Sequence, residues 1–320
     1  MAPISGSFVG LSSAWVSLWP AAVVSAYFLI AFGIFASRSW VRGMPQLSDA
    51  EVLGRPDSPV LSRFLRHYIM WLLSPWQKLL VRSGITPNAL TFASLLAAAG
   101  SGTAAAFGHF ALAGWLYFLC GFLDILDGRV ARIRNQVSQS GAFFDSVIDR
   151  YSELFVFGGL TIFYKDSWAL GAVLVASLGS LMVSYTRARG EALGVSDLNI
   201  GLMQRPERIF YLGMSMIFSP LVENLFGHGS LPADALVVGG VLLLAISTNL
   251  TAVRRIAHAM ARLDAMPVAQ KLAPVAAPRV EAPRPERAIP TNGSNGSSPI
   301  QPIQPIQPIQ IVPLRAASGR

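Results

Sequence analysis

The sequence predicts an all-α polytopic membrane protein: a core of six membrane helices, preceded by an interfacial helix and an additional N-terminal transmembrane span. Three observations predict it. The 320 residues are 52% hydrophobic and only 13% charged, with a mean hydropathy of +0.49, where soluble domains carry about 25% charged residues. Seven apolar stretches approach the roughly 20 residues needed to cross a bilayer as a helix. Basic residues gather on alternate loops between those stretches, as they do in membrane proteins of fixed orientation.

The first span, residues 19–37, is followed rather than preceded by basic residues, Arg38 and Arg42. Without a basic n-region it is expected to be a retained anchor with its N-terminus outside, not a cleaved signal peptide. Residues 60–83 mix Arg63, Arg66, Lys78 and Arg82 with Trp71 and Trp76, a composition suited to a helix lying in the cytoplasmic interface. Six core spans follow at 88–108, 110–134, 141–164, 167–186, 206–227 and 235–253. The loops after spans three and five hold Arg129, Arg132 and Arg134, then Arg187, Arg189, Arg205 and Arg208, whereas the opposite loops hold only Lys165, Asp166, Glu223 and Asp234. The positive-inside rule places the arginine-rich side in the cytoplasm of a cell (inner) membrane. Three regions result: an anchor and linker over 1–59, a membrane domain over 60–260, and a tail over 261–320. In the tail "NGSNGSS" precedes "QPIQPIQPIQ", a composition that cannot bury a core and predicts disorder.

Composition also excludes several functions. One cysteine, Cys120, forms no internal disulfide and no thiolate metal cluster, and the four histidines are scattered without zinc-type spacing. The net charge of +8 lies beside apolar spans, which favours anionic headgroups or phosphate ligands over nucleic acid.

The chemistry gathers in "GFLDILDGRVARIRNQVSQSGAFFDSVIDR", Gly121 to Arg150. Asp124 and Asp127 are three apart, Asp145 and Asp149 four apart, so each pair shares one helix face. The two helices are joined by a short basic turn and are expected to be antiparallel neighbours whose acids converge at the cytoplasmic end. Four carboxylates at a membrane edge need cations, and hard oxygen donors favour Mg²⁺, Mn²⁺ or Ca²⁺, with Mg²⁺ commonly sharing substrate phosphates. Gly128 and Ala131 lie one and two turns beyond Asp124 on its stripe, and Gly141 lies one turn before Asp145; missing side chains there let a ligand approach the backbone. Helix packing through small residues would explain the glycines but not the acids.

The spacing D-x2-D-G-x2-A-R-x8-G-x3-D-x3-D, met by Asp124, Asp127, Gly128, Ala131, Arg132, Gly141, Asp145 and Asp149, resembles the signature of the CDP-alcohol phosphotransferases. The resemblance covers about residues 60–260. It implies transfer of a substituted phosphate from a CDP-activated lipid to an alcohol, with release of CMP. It implies two Mg²⁺ (or Mn²⁺) ions held by Asp124, Asp127, Asp145 and Asp149, with Asp149 also deprotonating the acceptor. Gly128, Ala131, Arg132, Ser138 and Gly141 fall where similar enzymes hold the CDP group. "GITPNALT" resembles the family's P-N/D-x-x-T element, which implies that Asn88 and Thr91 contact the donor pyrophosphate; Thr86–Pro87–Asn88 is equally a good helix start. Members are commonly homodimers.

"SYTRARGEALGV" and "MQRPERI" together look like elements of the prokaryotic phosphatidylinositol-phosphate and archaetidylinositol-phosphate synthases. That resemblance implies inositol 1-phosphate as acceptor and CDP-diacylglycerol as donor, with Arg187, Arg189, Arg205 and Arg208 gripping the acceptor phosphate through guanidinium forks. Arg187 stands where lysine is frequent and Gly190 where alanine is frequent. "RPER" alone proves nothing, since it recurs at Arg284–Arg287. Two other readings compete: a phosphatidylglycerophosphate synthase using glycerol 3-phosphate, and a silent membrane scaffold, against which the intact acids argue. Glu153, one turn past Asp149, is expected to pair with a nearby arginine inside the bundle.

Overall fold

The computed structural model describes residues 9–42, 63–195, 197–201, 203–230 and 234–266. Of the tail expected over 261–320, residues 261–265 are helical and close the last helix; the remainder past residue 266 and most of the linker after the first span lie outside the described residues. Among the described residues every regular element is an α-helix: α1 (Val9–Arg42), α2 (Arg63–Ser83), α3 (Pro87–Ala106), α4 (Phe110–Ile133), α5 (Gln139–Phe163), α6 (Ala169–Ala192), α7 (Arg205–Ser230) and α8 (Ala235–Ala265). Each expected span corresponds to one helix. The last does not stop near residue 253 but runs on to Ala265, past Arg254 and Arg255, because the sequence there holds no helix breaker.

Five of these helices, α3, α4, α6, α7 and α8, are long and apolar enough to cross a membrane. α5 is as long but carries Asp145, Asp149, Arg150 and Glu153. The outward faces bear large apolar side chains such as Phe92, Leu96, Ile162, Leu174, Leu178 and Ile246, as expected where lipid is the solvent. The chain is a multi-pass membrane protein.

The six core helices close into a ring in the order α3–α4–α7–α8–α6–α5, each packed on its two neighbours. This corrects the expected neighbourhood of α4 and α5, which pack far less on each other than on α3. The reason is the composition of α3, "PNALTFASLLAAAGSGTAAA", whose small residues let a helix approach closely on either side. On the α5 side a methyl group at Gly102 would collide with the Phe155 carbonyl oxygen, and one at Gly159 with the Gly102 carbonyl oxygen. With α3 as a shared wall, the acidic faces of α4 and α5 meet across a cleft and not in a packed seam.

Local signals set the helix ends at this cleft. Thr86 caps α3, its hydroxyl accepting from the Ala89 N–H at 3.3 Å, and Pro87 opens the helix. Ser138 caps α5 by accepting from the Gly141 N–H at 3.0 Å. Arg134, in the turn between α4 and α5, donates to the carbonyls of Leu80, Val81 and Ile85 at 2.6–3.0 Å. It thereby satisfies the C-terminal carbonyls of α2 and pins that helix beside the turn. α1 joins through a smaller cluster, Ala31 and Phe35 against Tyr68 and Leu72, and the Tyr68 hydroxyl donates to the Phe28 carbonyl at 2.7 Å.

Candidate active site

Chain direction alternates along the helices, so the N-termini of α3, α5 and α7 and the C-termini of α4, α6 and α8 lie at one end of the ring. Asp124 and Asp127 come from the last turns of α4, Asp145 and Asp149 from the first turns of α5. Across the cleft one carboxylate oxygen from each of Asp124, Asp127 and Asp145 lies within 4.8 Å of the others. Asp149 joins through Arg205, the first residue of α7, whose Nη1 sits 2.6 Å from Asp124 Oδ2 and 2.8 Å from Asp149 Oδ1. The sequence-predicted acids therefore converge, with one guanidinium set against four carboxylates.

The donor set suits a hard divalent cation. All four candidate ligands are carboxylates, and Asp145 Oδ1 is buried without a hydrogen-bond partner, an arrangement that is costly unless a cation is nearby. Asp127 is aimed by α3: the Thr91 hydroxyl donates to Asp127 Oδ2 at 2.6 Å, and both side chains are buried. This differs from the expected contact of Thr91 with the donor pyrophosphate. Thr91 is 3% exposed and its hydroxyl proton is engaged, which sets it behind the acid.

The remaining donor-side candidates lie around the mouth. Asn88 is exposed in the first turn of α3, and a Cβ on Gly141 would sit 3.7 Å from its Oδ1 and 3.0 Å from Ser138 Oγ. The tight contact is the one to Ser138, so the missing side chain at Gly141 leaves room for the α5 cap, while Asn88 would stand at ordinary contact distance. On α4, Gly128 lies beneath the Arg132 guanidinium, where a Cβ would come within 3.4 Å of Nη1. Ala131 is half-buried and Arg132 exposed.

The four arginines of the expected acceptor pocket do not form one solvent-facing group. Arg187 and Arg189 are exposed at the end of α6, and Arg187 pairs with Glu191 at 2.8 Å. Arg205 is mostly buried against the aspartates. Arg208 departs furthest from expectation. It is 2% exposed, donates through Nε and Nη2 to Glu153 Oε1 at 3.0 and 2.6 Å, and reaches the Met203 carbonyl at 3.3 Å. Ser180 of α6 donates to the other Glu153 oxygen at 2.8 Å. Glu153 does pair with an arginine inside the bundle, and that arginine is Arg208. A guanidinium held this way ties α5, α6 and α7 together and is closed to a soluble phosphate.

From the sequence, Arg255 reads with Arg254 only as orientation charge. It is 2% exposed on α8 and donates to the carbonyls of Ile200 at 2.9 Å and Val183 at 2.7 Å. It thus fixes the loop before α7 that delivers Arg205. Its only signal was a basic pair at the end of the last span, which reads as orientation charge. In that loop Asp197 accepts from Arg262 at 2.5 Å and lies 3.1 Å from His258 Nε2. These contacts, the one to His258 foremost, hold its carboxyl below the ordinary range.

Residues 84–253 match the profile of the CDP-alcohol phosphatidyltransferases. The chain belongs to that family. The matched span begins at Gly84 and takes in the whole six-helix ring except the end of α8, so the interfacial helix and the first span lie outside it. An archaetidylinositol phosphate synthase from Pyrococcus horikoshii is 33% identical over 187 residues, 58% of this chain and 90% of that protein. A phosphatidylinositol phosphate synthase from Mycobacteroides abscessus is 33% identical over 153 residues, 46% of this chain and 69% of that protein. The crystal structure of Mycobacterium tuberculosis phosphatidylinositol phosphate synthase in complex with manganese and citrate superimposes with a TM-score of 0.51 at 28% identity, covering 58% of this chain and 88% of that one. The same enzyme with CDP-diacylglycerol bound gives 0.50 at 27% identity, covering 58% and 92%. The chain is therefore a metal-dependent transferase of phospholipid synthesis, and the scaffold reading is set aside.

Proposed function

We propose that the protein transfers the phosphatidyl group of CDP-diacylglycerol to a hydroxyl of inositol 1-phosphate, forming phosphatidylinositol phosphate and releasing CMP. The observation that carries this is the meeting of Asp124, Asp127, Asp145 and Asp149 in a cleft whose fourth wall, α7, brings an arginine. Two divalent ions held by these acids would supply neutralisation of the pyrophosphate and of the departing CMP. Asn88, Gly128, Ala131, Arg132, Ser138 and Gly141 make the donor side of the mouth, where small residues admit the CDP group. Asp149 takes the proton of the acceptor hydroxyl as its oxygen bonds to the lipid-bearing phosphorus and the bond to the CMP oxygen breaks. Thr91 holds Asp127 at its angle. Arg187, Arg189 and Arg205 face the acceptor phosphate, with Arg208 behind them as the buried partner of Glu153.

The arginine-rich loops favour a cytoplasmic active site at the inner membrane and an N-terminus on the opposite side. The apolar outer faces suit a homodimer. The acceptor is tested by supplying labelled inositol 1-phosphate, glycerol 3-phosphate and free inositol to membranes containing the chain, with and without CDP-diacylglycerol. Inositol 1-phosphate is expected to enter the lipid phase only with the donor, and free inositol to react poorly because it offers the arginines no charge. Preferential use of glycerol 3-phosphate would replace the inositol reading with the phosphatidylglycerophosphate one.

A further inference from the structure

Arg205 occupies an unusual position. It opens α7, where the helix dipole disfavours a cation, and its side chain is only 15% exposed. What holds it is the pair of carboxylates on either side of the cleft, Asp124 at 2.6 Å and Asp149 at 2.8 Å. Asp124 is also one of the three acids whose oxygens lie within 4.8 Å of one another. The same carboxylate is thus claimed by a guanidinium and by the metal-ligand set. Meanwhile Arg205 Nε is buried with no hydrogen-bond partner, so part of the fork is left without the acceptor that a buried donor requires.

We propose that Arg205 and the divalent ions compete for Asp124 and Asp149, so that filling the metal site hands the Arg205 guanidinium to the phosphate of the acceptor. The proposal rests on the metal-site and phosphorylated-acceptor readings above and adds an order to them. Before metal binds, Arg205 neutralises part of an acid cluster that would otherwise face a low-dielectric wall uncompensated. With divalent ions at the site, Asp124 and Asp149 would offer their lone pairs to them and Arg205 would face a like charge. The nearest chemistry that satisfies both its charge and its orphaned Nε is an anion. Acceptor phosphate would therefore be gripped only at a metal-loaded site, and free phosphate would not occupy the cleft beforehand.

The test uses the purified full chain in detergent and reads binding, not turnover. If the guanidinium competes, Arg205→Gln tightens Mn²⁺ binding by roughly tenfold, within the five- to 150-fold range of ordinary site coupling, and lowers the melting temperature measured in EDTA. Unchanged or weaker Mn²⁺ binding overturns the competition. A second arm does not depend on that variant folding. Wild-type protein is expected to bind inositol 1-phosphate in Mn²⁺ but not in EDTA, while the double variant Asp124→Asn, Asp149→Asn, its arginine released, binds it in EDTA. Equal binding by wild type in EDTA, or none by the double variant, overturns the exchange. Failure of the metal-site reading itself would look different: Asp127→Asn and Asp145→Asn would then leave wild-type Mn²⁺ affinity intact.

Discussion

Removing the Glu153 carboxylate isolates a buried guanidinium. The Glu153 and Arg208 side chains are 4% and 2% exposed, joined through two contacts of 3.0 and 2.6 Å to one carboxylate oxygen. Glu153→Ala leaves Arg208 with the Met203 carbonyl at 3.3 Å and no anion, and Ser180 loses its acceptor. Breaking a buried pair in this way costs about 3–5 kcal/mol, which for a domain of this size lowers the melting temperature by roughly 6–20 °C. Thermal unfolding in detergent, followed by tryptophan fluorescence, measures it directly. The double variant Glu153→Leu, Arg208→Met removes both charges and is expected to recover most of the loss, because a matched apolar pair avoids the desolvation that the ion pair must overcome. A fall of less than about 2 °C for the single variant, under roughly 1 kcal/mol, would refute the claim that this pair staples α5 to α7. So would a double variant no more stable than Glu153→Ala.

Thr91→Val removes the hydrogen bond to Asp127 while keeping the side-chain volume; losing a bond to a charged group costs about 1.5–3 kcal/mol, so Mn²⁺ affinity should fall roughly tenfold to a hundredfold, read by titration. Asp197 has its carboxyl held low by His258 and Arg262, so its contribution to stability is full above the ordinary carboxylate value of about 3.9 and is lost as pH falls through the lowered folded value. Asp197→Asn should therefore lower the melting temperature at neutral pH and lose that difference in strong acid. Single cysteines placed in residues 135–140 and 193–201, in a Cys120→Ser background, should resist an impermeant reagent in intact cells; labelling there would reverse the proposed orientation.

Much of this architecture was legible in the chain because lipid imposes a length on each helix and a side on each charge. The motif acids, fixed at turns of two helices, converge as their spacing implied. The neighbourhood of those helices was not legible. A short turn suggested that α4 and α5 pack together, but the glycine and alanine surface of α3 draws both to itself, a contact set by shape and not by sequence order. The arginines were readable as a class and not one by one. Positive-inside charge, a ligand clamp and a buried staple all appear as arginine near a loop. Only the fold shows that Arg208 meets a glutamate 55 residues away, that Arg255 holds the loop before α7, and that Arg205 lies between two aspartates. Thr91 was found by its motif, but its bond to Asp127, 36 residues along the chain, is visible only in the fold.

The central claim is that the converged acids run a metal-dependent transfer to a phosphorylated acceptor, and one measurement addresses it most directly. Purified protein is given CDP-diacylglycerol and inositol 1-phosphate, and CMP and product lipid are counted together with Mg²⁺, in EDTA, and for Asp124→Asn, Asp127→Asn, Asp145→Asn and Asp149→Asn. The account predicts one CMP for each phosphatidylinositol phosphate in Mg²⁺, with neither product in EDTA nor from any of the four variants. Full turnover in chelator, or CMP released at the same rate without acceptor, would contradict it.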